Sequence, residues 1–395
     1  MKFLLIYVPN LRFNNDPYKK YNLYEFATRV TRKNKDNVSN LPLTISAQYG
    51  LVDQVSFFNK TVASKDMSGY YLLKNGEFAY NKSYLNDYPW GAIKRLDLYD
   101  MGCLSTLYIC FKTNDNIVNS NYLVHYFESS KWHKQVADIA GEGARNHGLL
   151  NIVVNDFFNT KHAVPTIENQ IKIAGFLDLI EKRIQTQIKI IDDCISYRNA
   201  IVDYYFESLS GNWKKVKLSN ILKEYSELHI KDDSIVHATL SKEGIFPKTD
   251  RYDRDFLVKD EDKKYKVTHL NDICYNPANL KFGVITRNTF GDCIISPIYI
   301  TFKIKSGFIP KFVELLVTRK QFISKARKYE QGTVYERMSV NSSDLLSMYV
   351  LIPSFSIQQK IVNIINNIDN KIFNEQKLLN LYKLQKVYLL KNMFI

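Results

Sequence analysis

Residues 165–206 read PTIENQIKIAGFLDLIEKRIQTQIKIIDDCISYRNAIVDYYF, and residues 353–394 read PSFSIQQKIVNIINNIDNKIFNEQKLLNLYKLQKVYLLKNMF. The two stretches align without a gap, and each runs from a proline to a phenylalanine. Identical positions include Pro165/Pro353, Gln170/Gln358, Lys172/Lys360, Ile173/Ile361, Ile180/Ile368, Ile184/Ile372 and Lys189/Lys377. Such an internal repeat indicates a chain built from two copies of one structural unit.

Apolar residues recur in both stretches mainly at spacings of three and four positions, the pattern of a coiled-coil seam. In the first stretch the seam consists of Ile173, Leu177, Ile180, Ile184, Ile191, Cys194, Ile201 and Tyr205. In the second stretch it consists of Ile361, Ile365, Ile368, Ile372, Leu379, Tyr382, Leu389 and Met393. The sequence therefore predicts two long helices that pair through these side chains.

Polar side chains interrupt both seams at equivalent places, at Gln187 and Arg198 in one copy and at Glu375 and Lys386 in the other. If the helices run antiparallel, one register sets Arg198 opposite Glu375 and Gln187 opposite Lys386. A register two heptads away fits the apolar pattern equally well. The alternative is that these long side chains lie at the solvated edge of the seam.

The segments between the helices repeat as well. Residues 18–26 match 213–221, residues 77–82 match 272–277, residues 90–93 match 282–285, residues 105–108 match 296–299, and residues 155–157 match 343–345. We therefore expect globular domains at residues 1–160 and 209–350, and helices at residues 161–208 and 351–395. A chain of 395 residues is long enough for two cores.

The globular halves contain short runs rich in Ile, Val, Tyr and Phe, which predict strands. The predicted strands are Glu77 to Tyr80, Leu104 to Phe111, Asp272 to Tyr275 and Ile294 to Ile304. The predicted helices between them are Ser120 to Asp138 and Pro310 to Tyr329. The expected fold class is thus α+β, with two pseudo-symmetric globular domains joined by two long antiparallel coiled-coil helices.

The formal net charge of +14 makes nucleic acid the first candidate partner. A membrane is not expected, because no apolar run approaches the roughly 20 residues of a spanning helix. The apolar run Phe3 to Val8 is too short for a signal-peptide core, which favours the cytoplasm. Five cysteines without a C-x-x-C pair indicate neither a disulfide framework nor a zinc site, and we expect them to be buried apolar side chains.

Motifs for catalysis are missing from the sequence. There is no G-x-x-x-x-G-K-[ST] to cradle ATP phosphates and no H-E-x-x-H to hold a metal. The run Gly141 to Asn146 lacks the last glycine of a dinucleotide-binding loop, and we interpret it as a mobile loop. The run Glu261 to Lys263 resembles half of a nuclease signature, but we interpret this charged segment as a solvated loop. We expect no catalytic residue and no bound metal.

Several motifs together resemble the DNA-specificity subunit of type I restriction-modification systems. Both copies carry P-x-x-x-x-Q-x-K-I at the start of the helix, E/D-x-x-Y-N, and G-x(2-4)-S-x-x-Y. The opening Pro9-Asn10-Leu11-Arg12-Phe13 is similar to the P-x-L-R-F start of many members. One departure is that Asn169 and Ile357 replace the acidic residue that usually precedes the glutamine. The match extends over essentially the whole chain.

The resemblance implies that each globular half is a target-recognition domain that reads one part of a bipartite double-stranded DNA sequence. It implies that the helices are a spacer and that two modification (methyltransferase) subunits dock on them. Those subunits would bring S-adenosylmethionine, and restriction (endonuclease and translocase) subunits would bring ATP and Mg²⁺. This chain itself would bind no cofactor.

Basic and amide side chains in loops are the candidate DNA contacts, because such groups clamp phosphates and read base edges. In the first half they are Arg29, Arg32, Lys33, Lys35, Gln48, Lys82, Arg145 and Asn146. In the second half they are Lys242, Arg251, Asn276, Lys281, Arg287, Tyr335 and Arg337. For each residue the alternative is a solvated surface cation or an amide at the edge of the core.

Two other functions are compatible with the sequence. One is a single-chain DNA nuclease or methyltransferase with degenerate motifs, which would act on DNA alone when given Mg²⁺ or S-adenosylmethionine. The other is a coiled-coil scaffold that binds only protein, which would leave the charge and the paired globular halves unexplained.

Overall fold

The computed structural model describes residues 18–46, 48–83, 88–145, 148–230, 234–248, 264–331 and 338–394, without the side chains of residues 142–145. The chain forms two compact units, Met1–Lys189 with Lys377–Ile395 (unit 1) and Ile190–Gln376 (unit 2). Each unit is therefore made of one globular half of the chain and a part of both long helices.

The helices are α1 (Leu23–Phe26), α2 (Gln54–Phe58), α3 (Ser120–Glu128), α4 (His133–Ile139), α5 (Val154–Phe158), α6 (Ile167–Glu207), α7 (Pro310–Thr318), α8 (Lys320–Ala326), α9 (Ser342–Ser347) and α10 (Phe355–Met393). The strands of unit 1 are β1 (Lys19–Asn22), β2 (Ala27–Arg29), β3 (Leu43–Ser46), β4 (Gly50–Asp53), β5 (Tyr71–Lys74), β6 (Phe78–Asn81), β7 (Ala92–Arg95), β8 (Met101–Leu104), β9 (Ile109–Thr113), β10 (Gly141–Arg145), β11 (Leu149–Asn151) and β12 (Lys161–Val164). The strands of unit 2 are β13 (Lys214–Lys217), β14 (Leu222–Tyr225), β15 (Leu228–Ile230), β16 (Val236–Leu240), β17 (Ile245–Pro247), β18 (Lys264–Thr268), β19 (Ile273–Tyr275), β20 (Ile285–Arg287), β21 (Cys293–Ile295), β22 (Ile300–Ile304) and β23 (Tyr349–Ile352).

Each unit contains a four-stranded main sheet of the same topology, and unit 2 also contains a five-stranded sheet in the order β15-β18-β21-β16-β17. The order of the main sheet is β2-β9-β6-β7 in unit 1 and β14-β22-β19-β20 in unit 2, and all neighbours in it are antiparallel. In each unit the strand that opens the domain also pairs antiparallel with the strand that precedes a long helix, as β1 with β12 and β13 with β23. The internal repeat of the sequence is thus a repeat of topology, and the α+β fold class predicted from it is confirmed.

Each unit has a core in which its sheet packs against the short helices and the long helices. In unit 1, Phe78 and Phe111 stack with ring centroids 5.3 Å apart, and Trp132 is fully buried in the same core. In unit 2, Tyr275 and Phe302 stack at 5.7 Å, at the corresponding strands. The high aromatic content of the sequence therefore goes largely into two sheet cores.

The long helices are antiparallel in each unit. In unit 1, the start of α6 shares a core with the end of α10, where Leu389 and Met393 are buried. In unit 2, the end of α6 shares a core with the start of α10. Of the predicted seam positions near the helix starts, Ile173, Leu177, Ile180, Ile184, Ile361 and Ile365 are buried, and Ile368 and Ile372 are half-buried.

The predicted register of the helix pair is wrong. Arg198 donates to Asp369 at 2.5 Å within unit 2, and Lys386 donates to Glu181 at 2.7 Å within unit 1. Asp369 and Glu181 each precede the predicted partner, Glu375 or Gln187, by six positions. The seam residues also pack against the domain cores, so the domains contribute to the choice of register alongside the heptad pattern.

Two strands predicted as single runs are each divided. The predicted strand Leu104 to Phe111 is divided into β8 and β9 by a turn in which the Tyr108 N–H donates to the Ser105 carbonyl. The predicted strand Ile294 to Ile304 is divided into β21 and β22 by the matching turn, in which the Tyr299 N–H donates to the Ser296 carbonyl. The repeated serine and tyrosine thus mark a turn between two strands.

Two predicted helices are also divided. The helix predicted over Ser120 to Asp138 ends as α3 at Glu128, where Ser129 is extended and its hydroxyl donates to the Tyr126 carbonyl. The helix predicted over residues 310–329 is interrupted at Arg319, whose φ of −66° and ψ of 144° are those of extended backbone. The loop predicted from Gly141 is instead strand β10 as far as Arg145, paired with β11.

Candidate nucleic-acid interface

A repeated glutamine fixes each long helix to its own domain. The Gln170 side chain accepts from the Asn119 N–H at 2.7 Å and donates to the Pro165 carbonyl at 2.8 Å. The Gln358 side chain accepts from the Ile309 N–H at 3.1 Å and donates to the Pro353 carbonyl at 3.2 Å.

Asn119 and Ile309 are the residues that precede α3 and α7, so both glutamines make the same connection. Because each glutamine is buried, its polar groups depend on these partners. The P-x-x-x-x-Q motif therefore joins the start of a long helix to the first helix after the main sheet. It fixes the start of α3 or α7 relative to the long helix that begins in the same unit.

Three predicted DNA contacts of unit 1 lie around Tyr71 and Glu77. Arg32 forms an ion pair with Glu77 at 2.6 Å. The Lys33 ammonium lies 4.4 Å above the Tyr71 ring, and the Arg29 guanidinium lies 3.5 Å from the Tyr71 hydroxyl. Arg29 and Lys33 are exposed, whereas Arg32 is half-buried by its carboxylate partner. The structure thus brings these three cations together at one place on the domain.

The other described candidates of unit 1 are dispersed. Lys35 is exposed in a single 3-10 turn at residues 35–37, and Gln48 is exposed in the turn between β3 and β4. Lys82 is half-buried, with its ammonium 3.4 Å from the Ile152 carbonyl. Arg145 ends β10, but its side chain lies outside the described atoms, and Asn146 lies outside the described residues.

Two candidates of unit 2 have structural partners. Asn276 is buried, and its side chain accepts from the Ala278 N–H at 3.1 Å, which caps the 3-10 helix Pro277–Phe282. Arg287 donates to Glu314 at 2.9 Å and to Asn271 at 2.7 Å. These contacts fit the alternative interpretation of an amide or cation at the edge of the core. Arg251, Tyr335 and Arg337 lie outside the described residues.

Lys242 and Lys281 lie together at an open groove of about 440 Å³ in unit 2. The groove is also lined by Lys320, Arg327 and Phe282, with Gly283, Ile285 and Ile323 among its other lining residues. We call this site the basic groove. It joins residues from the β16–β17 turn, the 3-10 helix before β20, and α8 with the 3-10 turn that follows it.

Sequence reasoning missed Lys320 and Arg327. Residues 319–328 read RKQFISKARK, and the five cations in this run were a usable signal. The run was interpreted only as part of a helix, and the break at Arg319 that separates α8 from α7 was not foreseen. Because the chain changes direction at Arg319, a continuous helix from α7 would not predict that Lys320 lies near Lys242.

A second charged cluster of unit 2 contains a histidine between two carboxylates. The His269 ring nitrogens lie 3.1 Å from Glu227 and 3.1 Å from Asp292. The hydrogen bond with Glu227 raises the pKa of His269 above its ordinary value. Burial lowers the pKa of Lys266 in the neighbouring strand β18.

Within the described part of the chain, no group of three or more His, Cys, Asp or Glu side chains could hold a metal ion. The same residues include no helix that is both long enough and apolar enough to cross a membrane. Of the five cysteines, all described, four are buried and Cys194 is half-buried, and none forms a disulfide.

Comparison with known proteins places this architecture. No family model matches the chain, and no curated protein matches its sequence. Several solved structures do match. A structure described by the complex assembly and conformational transition of the type I restriction-modification system is 12% identical, covers 95% of this chain and 96% of its own, and has a TM-score of 0.58. A type I restriction-modification S subunit from M. genitalium is 13% identical, covers 98% of this chain and 99% of its own, and has a TM-score of 0.52.

A third structure, the HsdS subunit from Thermoanaerobacter tengcongensis, is 14% identical over 96% of both chains, with a TM-score of 0.47. The two matches with higher TM-scores cover nearly the whole chain, so the repeated α+β units with paired long helices form a known architecture. That architecture is the fold of the type I restriction-modification specificity subunit, as the sequence motifs indicated.

Proposed function

We propose that this chain is the DNA-specificity subunit of a type I restriction-modification complex and is not itself an enzyme. The observation that carries the proposal is the repeat. The two units share a four-stranded sheet of one topology, each holds cationic side chains, and each is fixed to a long helix by the same glutamine contact. Such a duplication provides two DNA-binding units at a set separation, which suits a bipartite DNA target.

In the proposed mechanism, each unit reads one part of a bipartite double-stranded DNA target, and the helices set the spacing. Helices α6 and α10 contain 41 and 39 residues. At 1.5 Å per residue each is about 60 Å long. One turn of DNA is roughly 34 Å long, so helices of this length are sufficient to separate readers on successive grooves of one face.

The proposed partners are two modification (methyltransferase) subunits, which dock on the helices, and restriction subunits. Exposed apolar side chains near the end of α10 support docking there, because Leu381, Leu384 and Val387 are 61%, 66% and 63% exposed. The modification subunits would bind S-adenosylmethionine, and the restriction subunits would bind ATP and Mg²⁺. The complex would work on DNA in the cytoplasm.

Co-expression with the proposed methyltransferase partner, followed by methylome sequencing, tests the proposal. We expect a new methylated, bipartite sequence that disappears when this chain is omitted. A methylation pattern that does not depend on the chain would contradict the proposal. Purified chain alone should neither cleave nor methylate DNA when given Mg²⁺ or S-adenosylmethionine, and either activity would favour the single-chain enzyme.

A further inference from the structure

We propose that the basic groove of unit 2 holds the phosphate backbone of duplex DNA through Lys242, Lys281, Lys320 and Arg327. This inference rests on the proposed function and adds to it a site that contributes affinity independent of base sequence. Phosphate contacts fix the position of a reader on the duplex, whereas base contacts supply its sequence preference. The groove would therefore position unit 2 on DNA.

The first argument is that the charge of the groove is available. Among the described residues that line it, four are cations and none is a carboxylate. Within the described part of unit 2, Lys242, Lys281 and Lys320 have no carboxylate within 4.0 Å, and Arg327 has only Glu330, at 3.2 Å. Arg287 differs, because Glu314 already neutralises it at 2.9 Å. Unpaired cations on one concave surface attract a polyanion.

The second argument is that the groove is held in shape by buried contacts. The 3-10 helix Pro277–Phe282 begins at the Asn276 cap and ends at Gly283, whose φ of 83° is in the left-handed region. The Tyr275 hydroxyl and the Pro277 carbonyl each make a hydrogen bond with the backbone of Val340. Lys281 and Phe282 therefore stand on a short, capped turn, which lowers the entropy lost when they bind a ligand.

The third argument is that the three segments of the groove converge closely. A β-carbon added at Gly283 would lie 3.7 Å from Cδ1 of Ile323 and 3.8 Å from Cγ of Lys242. The aliphatic stem of Lys242 and the α8 side chain thus pack around the glycine. Phe282 is 64% exposed at the edge, with the Lys281 ammonium 5.1 Å above its ring. An apolar ring beside cations suits a sugar-phosphate backbone, which presents deoxyribose carbons between its charges.

The test uses the full-length chain and short duplexes of random sequence, because backbone contacts need no target site. The groove variant is Lys281→Gln with Lys320→Gln. The matched control is Lys214→Gln with Lys223→Gln, which removes the same charge from exposed positions of unit 2 outside the groove. Binding is measured between about 50 and 200 mM salt, a range over which phosphate contacts change affinity strongly.

We expect the groove variant to bind about tenfold more weakly than the control at low salt. Its slope of log affinity against log salt should be shallower by about two, one for each phosphate contact removed. A second variant, Lys242→Gln with Lys281→Gln, should show the same weakening. Circular dichroism is the check that each variant is folded.

The outcomes separate this inference from the proposed function. If the wild-type chain binds duplexes and both groove variants match the control, the groove does not hold the backbone, although the proposed function still stands. If the wild-type chain binds no duplex at low salt, either alone or with its methyltransferase, the proposed function fails and the inference fails with it. Loss of binding to an acidic protein partner, without any loss on DNA, would also overturn the inference.

Discussion

Gln170 shows how much of a domain's stability can depend on one side chain. Its oxygen accepts from the Asn119 N–H, and its amide donates to the carbonyls of Pro165 and Ile117. Gln170→Ala would leave these buried backbone groups without partners. We expect the free energy of unfolding to fall by about 1–3 kcal/mol, measured by urea denaturation.

Gln185→Ala is the matched control for that prediction. Gln185 lies on the same helix but is exposed, and its only described side-chain bond is to Glu181 at 2.9 Å. Its replacement should change the free energy of unfolding by less than about 0.5 kcal/mol. Equal effects of the two substitutions would mean that the buried glutamine contacts contribute little.

His162 makes the stability of unit 1 depend on pH. Thr160 donates its hydroxyl hydrogen to the Phe157 carbonyl, so it accepts from Nε2–H of His162, and Nδ1 then accepts from the Tyr126 hydroxyl. A neutral ring satisfies both of these contacts. Burial lowers the pKa of His162 to about 4, below the ordinary value of 6.5.

Because the unfolded chain binds this proton more readily, the contribution of His162 is complete above about pH 6.5 and is lost as the pH falls towards 4. Between pH 7 and pH 5 the loss is about 2 kcal/mol. The His162→Gln variant, which does not titrate, should show a fall in unfolding free energy smaller by that amount. Urea denaturation at both pH values measures it, and identical falls in the two proteins would contradict the assignment.

The contacts of individual side chains could be predicted only in part from the sequence. The sequence shows that Gln170 is repeated at Gln358. It does not show that Gln170 contacts Asn119 and that Gln358 contacts Ile309, because each partner lies about 50 positions away along the chain and is set by tertiary contacts. The same limit applies to Arg287. Its spacing does not reveal that Glu314 on a later helix neutralises it.

The two long helices show which properties follow from local pattern. Their existence and their buried faces follow from the spacing of apolar residues such as Ile173 and Ile361. Their register does not, because several heptad shifts satisfy the same pattern and the domain cores also contact the seam. Local pattern also failed to predict that two strands are divided. The turn at Ser105 interrupts a run that is still largely apolar, so composition alone does not reveal it.

A double-mutant cycle on Glu181 and Lys386 tests the observed register. Burial opposes ionisation of Glu181, but hydrogen bonds from Lys386 and Gln185 lower its pKa below the ordinary value. The ion pair therefore stabilises unit 1 at pH values above the ordinary pKa of a glutamate. This stabilisation is lost as the pH falls through the lowered pKa of Glu181. At neutral pH the coupling of Glu181→Ala with Lys386→Ala should be about 0.5–1 kcal/mol.

The control cycle replaces Glu168 and Lys386, which lie at different levels of unit 1. Glu168 is exposed and pairs with Lys172 on its own helix at 2.6 Å. Its substitution should be additive with that of Lys386. Additivity in both cycles would show that the pair in the seam contributes nothing to stability.

In the proposed function, the two long helices set the length of the DNA spacer between the two half-sites. The boundary between the units falls at Lys189 and Ile190 in α6 and at Gln376 and Lys377 in α10. Inserting one heptad at both points preserves the seam, because the apolar pattern repeats every seven residues. Each helix becomes about 10 Å longer, which equals about three base pairs of DNA.

Methylome sequencing with the partner methyltransferase should therefore find the same two half-sites with a gap longer by about three base pairs. A heptad inserted into α6 alone should abolish methylation, because the unmatched residues cannot extend the pair. An unchanged gap after the double insertion would mean that the helices do not measure the target, since the half-sites themselves are read by domains that the insertion leaves intact.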